Sequence, residues 1–146
     1  MKQFIIAVTL FFFFTSCSKD NDENTNTADS YLGKWTLIKM SGTVFNSETT
    51  GNAMEYQEFY VFSDNGTFTK IRNKNTVQTT AAGTYIVKNI QEGTYLELTY
   101  SASSEIIGSC YGNLKEELHF SDKNTLSSTW RICDGPGLDY QKIIIY

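Results

Sequence analysis

Residues 56–72 read Tyr56-Gln57-Glu58-Phe59-Tyr60-Val61-Phe62-Ser63-Asp64-Asn65-Gly66-Thr67-Phe68-Thr69-Lys70-Ile71-Arg72. Two runs rich in aromatic and β-branched residues, which favour strands, flank Asp64-Asn65-Gly66. Asn-Gly tolerates the positive φ angles of a tight hairpin, so the stretch predicts strand, turn, strand. The same alternation recurs from Tyr31 onward and predicts eight strands: 33–41, 56–63, 67–72, 76–88, 94–101, 114–121, 125–132 and 138–146. Asn73-Lys74-Asn75, residues 89–93, Asp122-Lys123-Asn124 and Asp134-Gly135-Pro136-Gly137 punctuate them. The first strand places Trp35 and Leu37 on one face and Ile38 and Met40 on the other. Gly83 marks a bulge or bend in the fourth. One competitor interrupts the pattern: Asn52-Ala53-Met54-Glu55 has capping-box spacing and predicts a short helix before the second strand. The expected fold is all-β, an eight-stranded antiparallel up-and-down barrel, with a β-sandwich as the alternative. Closure removes the unpaired edges that invite aggregation.

The chain has 146 residues, enough for one core. Its 14 % aromatic and 19 % charged content argues against disorder along its full length. A net charge of −4 argues against nucleic acid as a partner, since phosphate binding needs a basic surface. One His and three widely spaced Cys exclude most zinc sites and any haem attachment motif. No cofactor motif is present: there is no glycine-rich phosphate loop, no Gly-x-Ser-x-Gly elbow and no Ser-x-x-Lys. An enzymatic role has no motif behind it.

The N-terminus predicts export. Met1-Lys2-Gln3 is a short basic start, and residues 4–14 are apolar except for Thr9. Such a run is too short for a bilayer span of about 20 residues and suits a secretory signal. It ends in Phe14-Thr15-Ser16-Cys17, which resembles a bacterial lipobox, with Phe14 in place of the usual Leu. Residues 1–16 then form a lipoprotein signal peptide, and Cys17 carries the acyl chains that hold the protein to a membrane. An ordinary signal peptide with an incidental Cys is the alternative. Residues 17–30 hold the anchor Cys and a tether without large apolar residues, which cannot pack. The mature chain would keep 11 of the 12 basic residues against 16 acidic ones, so anchoring rests on acyl chains and gains nothing from a basic patch. Cys17-Ser18-Lys19-Asp20-Asn21-Asp22-Glu23 also resembles the acidic surface-export signal of lipoproteins from the Bacteroidota. The expected location is the outer membrane, facing the cell surface or the periplasm.

A family resemblance covers residues 31–146. Gly33-Lys34-Trp35 looks like the Gly-x-Trp opening of lipocalins. Phe62-Ser63-Asp64-Asn65-Gly66-Thr67-Phe68 and Gly83-Thr84-Tyr85 are similar to strand-turn signatures of small bacterial lipocalin-like lipoproteins. The resemblance implies a barrel closed by Gly33, Trp35 and a late cation packed on the indole, with Arg131 and Lys142 both candidates. It also implies a small hydrophobic or amphipathic ligand, for which Tyr60, Phe62, Glu116, Leu118, Phe120 and Trp130 are candidate lining residues. The competing function is a structural or interaction lipoprotein with a filled core, whose protein partners the sequence does not name. A ligand cleft on the order of 300 Å³ separates the two.

Three further expectations come from register and parity. If Phe120 pairs with Leu126, Cys133 faces Asn113, three residues from Cys110, and Tyr111-Gly112 bends the chain back. A Cys110–Cys133 disulfide follows in an oxidising compartment. His119 is expected on a solvent-exposed face, the alternative being a proton carrier beside a Glu. Glu116 shares a face with Leu118 and Phe120. It is expected at the rim in water, the alternative being a polar handle inside the barrel. Asn65-Gly66-Thr67 matches a glycosylation acceptor, but the hairpin reading takes precedence there.

Overall fold

The computed structural model describes residues 31–143. The signal peptide, Cys17, the tether and the last three residues of the final strand lie outside the described residues. Within them the chain forms nine strands: β1 Gly33–Ser41, β2 Thr49–Thr50, β3 Gln57–Phe62, β4 Thr67–Lys74, β5 Val77–Ile90, β6 Gly93–Tyr100, β7 Lys115–Asp122, β8 Thr125–Ser128 and β9 Gly137–Lys142. Every pairing is antiparallel; apart from β1 with β3, which skips the two-residue β2, each joins neighbours in sequence, and β9 returns to pair with β1. Eight strands close the barrel, while β2 is a two-residue extension alongside the second half of β1. The up-and-down barrel is therefore the fold.

Local chemistry accounts for most boundaries. Gly66 adopts φ 78°, as the hairpin between β3 and β4 requires. Asn75 and Thr76, both at positive φ, make the turn from β4 to β5, so β4 runs two residues past its expected end and β5 starts one residue late. Gly83 sits opposite Phe68 and Tyr100 with no register shift, so it is not a bulge. It is a point of close approach: a Cβ there would lie 2.0 Å from the Thr99 carbonyl oxygen. The competing helix at residues 52–55 is present only as a single 3-10 turn, Gly51–Ala53, with no side-chain cap.

Two expectations need correction. A β-bulge in the β1–β9 pairing falls between Leu37 and Lys39. It inserts a residue and re-aims the strand, so Met40 joins Trp35 and Leu37 in the core and Ile38 is left outside. The strand expected over 125–132 ends at Ser128. Its hydroxyl accepts from the Trp130 N–H and opens a 3-10 turn, Thr129–Cys133, which closes with Asp134 in the left-handed region. The Cys110–Cys133 disulfide forms all the same, with Cα atoms 5.6 Å apart. On the loop-entropy model it stabilises the fold by roughly 3 kcal/mol. It pins the long connection between β6 and β7, which carries Ile106 into the core.

Trp35 is fully buried. Its indole N–H donates to the Tyr31 carbonyl at 2.8 Å, and Phe120 meets it edge-on at 5.7 Å. Gly33 enters β1 at φ 101°, a conformation that L side chains rarely adopt. Trp35→Ala should cost about 3–5 kcal/mol in urea unfolding, the range for a large buried aromatic. A loss below about 1 kcal/mol would show that the barrel closes without it. Of the two candidate cations, register places Lys142 directly across from Trp35. Arg131 is not there. The chain leaves the sheet at Ser128, and Arg131 reaches Ser41 at the other end of β1, with Nη1 3.5 Å from Oγ.

Candidate functional site

The inward face of β3 carries Glu58, Tyr60 and Phe62; that of β4 carries Phe68, Lys70 and Arg72. Register sets Glu58 beside Arg72, Tyr60 beside Lys70 and Phe62 beside Phe68. Glu116 faces inward from β7. Two cations and two carboxylates thus meet inside the barrel. Lys70 Nζ lies 3.0 and 3.1 Å from the two Glu116 oxygens and 3.4 Å from Glu58 Oε1. Arg72 Nε donates to Glu58 Oε2 at 2.5 Å, and Nη2 donates to the Ile106 carbonyl at 3.4 Å. The Tyr140 hydroxyl donates to Glu58 Oε1 at 2.5 Å, and the Tyr100 hydroxyl donates to Glu116 Oε2. Glu116 is therefore not at the rim.

This network holds equal numbers of opposite charges, as a dry interior requires. Burial pushes the hydroxyls of Tyr60, Tyr100 and Tyr140 well above the ordinary phenol value, and the nearby carboxylates add to it. Burial likewise raises Tyr56 to about 12, partly offset by the Arg72 guanidinium over its ring. For Arg72 itself burial disfavours the charge, but Glu58 outweighs it and holds the guanidinium above its usual value.

Tyr60, Phe62, Glu116 and Leu118 all point inward and are packed in this core. Trp35, Tyr60, Lys70, Leu98, Glu116 and Leu118 expose none of their surface, so no water-sized space lies against them. Phe120 and Trp130 are partly buried against the same cluster. Trp130 fills a slot that exists because residues 108 and 135 are glycines; a Cβ at either would come within 2.7 or 2.4 Å of the indole. The expectation missed Glu58, Lys70 and Arg72. The period-2 parity that puts Glu58 in register with Tyr60 and Phe62 was the available signal.

A second feature lies outside the barrel. A groove of about 760 Å³ runs across β6, β7, β8, β9 and β1. Register aligns Tyr95, His119, Ser127, Asp139 and Lys39 along it, each on the next strand. Lys39 Nζ pairs with Asp139 at 3.0 Å, and this hydrogen bond raises the lysine above its ordinary value. The Ser127 hydroxyl donates to Asp139 Oδ1 at 2.7 Å. His119 is half-buried, with Nδ1 3.2 Å from the Ser127 carbonyl oxygen rather than from its hydroxyl. Serine, histidine and aspartate are thus neighbours without forming a nucleophile–base relay. A smaller cleft of about 390 Å³ adjoins the groove, and both are lined by Ser41 and Arg131.

Comparison with protein-family models, with curated proteins and with solved structures gave no match.

Proposed function

We propose that this chain is a lipid-anchored protein of the cell envelope, non-enzymatic, whose barrel is a solid scaffold and whose working surface is its outside. The observation that carries this reading is the filled interior. A lipocalin-like ligand in the lumen needs a cleft on the order of 300 Å³. The barrel axis instead holds Trp35, Tyr60, Leu98, Leu118, Lys70 and Glu116, none of which exposes any surface, with Glu58 and the partly buried Arg72 completing a neutralised set of four charges. The interaction-module reading is therefore favoured over the lumen-ligand reading. Anchoring at the outer membrane rests on Phe14-Thr15-Ser16-Cys17 and the short apolar run before it. The lipocalin-like assignment rests on the closed eight-stranded barrel and on the buried Trp35 of Gly33-Lys34-Trp35.

Two measurements test the proposal. Cys17→Ser should move the protein from the membrane pellet to the soluble fraction; full retention in the pellet would remove the anchor. The neutral lumen probe N-phenyl-1-naphthylamine should show no saturable uptake by the folded protein. A stoichiometric complex that Phe62→Ala or Leu118→Ala alters would restore a ligand inside the barrel.

A further inference from the structure

Arg131 stands at the junction of the two outer clefts, and it differs from the cations that carboxylates hold. Lys39 is held by Asp139 and Glu48, Lys70 and Arg72 by Glu58 and Glu116, and Lys88 and Lys115 by Glu97. Arg131 has no carboxylate within ion-pairing distance among the described residues; its one polar contact is the Ser41 hydroxyl. It is nonetheless positioned. The 3-10 turn that bears it is capped by Ser128 and ends in the disulfide at Cys133. Its stem crosses Gly137, where a Cβ would lie 3.3 Å from Arg131 Cδ and 2.3 Å from Ser41 Oγ. A guanidinium held in place with free donors suits a carboxylate or phosphate group.

Among the polar residues that line the two clefts, several apolar side chains stand exposed. Phe45, 91 % exposed, and Val44 line the smaller cleft; Ile132, 84 % exposed, and Ile90 line the larger. Glu48, which lines the smaller cleft, and Asp139, which lines the larger, are both paired with Lys39. Glu92 and Glu117 also line the larger groove and repel an anion from its interior, which leaves the Arg131–Ser41 junction as the place for a negative group. We infer that the outer groove binds a small amphipathic anion, its single carboxylate or phosphate on Arg131 and Ser41 and its apolar body along Ile132 and Ile90. This rests on the outside of the barrel being the working surface.

The test uses the full chain in neutral phosphatidylcholine discs, titrated calorimetrically with octanoate, octyl phosphate and octanol. Partition into the disc is common to wild type and variants, so differences between them read the site. Octanoate and octyl phosphate should bind with 1:1 stoichiometry. Arg131→Gln should weaken both by about tenfold or more, as loss of a charge-assisted hydrogen bond predicts. Arg131→Lys should restore part of the affinity. Octanol should be indifferent to Arg131→Gln but sensitive, like the anions, to Ile132→Ser. Matching thermal unfolding of the Arg131 variants and wild type verifies the fold. Replacing part of the disc lipid by phosphatidylglycerol distinguishes the source: competition with octanoate points to a lipid headgroup, and unchanged binding to a free anion. Absence of saturable anion binding, or equal binding by Arg131→Gln, would overturn the inference. Saturable octanol uptake indifferent to both Arg131→Gln and Ile132→Ser would instead overturn the solid-barrel reading.

Discussion

Lys70→Met is expected to destabilise the domain by about 3–5 kcal/mol, the range for breaking a buried ion pair by removing one partner. Methionine keeps the volume of the side chain, so the loss is electrostatic rather than a cavity. Lys70 is the group that touches both carboxylates. Without it Glu58 keeps Arg72 and the Tyr140 hydroxyl, but Glu116 keeps only the Tyr100 hydroxyl as partner. A carboxylate in that position cannot stay ionised without a large penalty. The double variant Lys70→Met with Glu116→Gln should therefore recover most of the stability, and the two single effects should be strongly non-additive. Urea midpoints for the wild type, both single variants and the double variant give the coupling. A loss below about 1 kcal/mol for Lys70→Met would mean that water reaches the cluster. Additive single effects would mean that the two groups do not act as a pair.

Alkaline pH should unfold the protein from the same cluster. Tyr60, Tyr100 and Tyr140 have phenol groups raised well above the ordinary value of about 10. Below pH 10 both folded and unfolded chains keep these protons, and the stability is fully present. Above it the unfolded chain releases protons that the folded chain retains, so stability falls as pH rises toward the folded values. The slope is about 1.4 kcal/mol per pH unit for each tyrosine. Three such groups acting together exceed the margin of a typical domain within a few units. Unfolding monitored between pH 8 and pH 12 should show a steepening loss above pH 10, with tyrosinate absorbance from the buried rings rising only in the unfolding transition. Tyr100→Phe should flatten the slope, after allowance for the hydrogen bond lost at Glu116. Full tyrosinate absorbance in a protein that remains folded near pH 10 would contradict the packed interior.

How far the residues themselves disclosed this protein depends on the range of the interaction. Strand and turn assignments at residues 56–72 rest on neighbours in sequence: alternation within each run, and an Asn-Gly pair between them. They held because hairpin geometry is local. The disulfide was legible for the same reason, since register propagates along β7 and β8 from Phe120 opposite Leu126. Its outcome survived although the strand stopped at Ser128, because a 3-10 turn brings Cys133 back toward the same end. That same departure takes Arg131 away from Trp35 and leaves Lys142 of the two candidates, and it is decided by a capping hydroxyl that alternation does not reveal. The bulge after Leu37 belongs to this class too: one extra residue in β1 moves Met40 to the other face, and only closure against β9 demands it. Most dependent on tertiary structure is the buried charge network. The alternation already put Glu58, Lys70, Arg72 and Glu116 on the apolar faces of their strands. Whether a charge there turns to water or inward depends on a partner across the barrel. Lys70 and Glu116 are 46 residues apart and meet only once the sheet has closed.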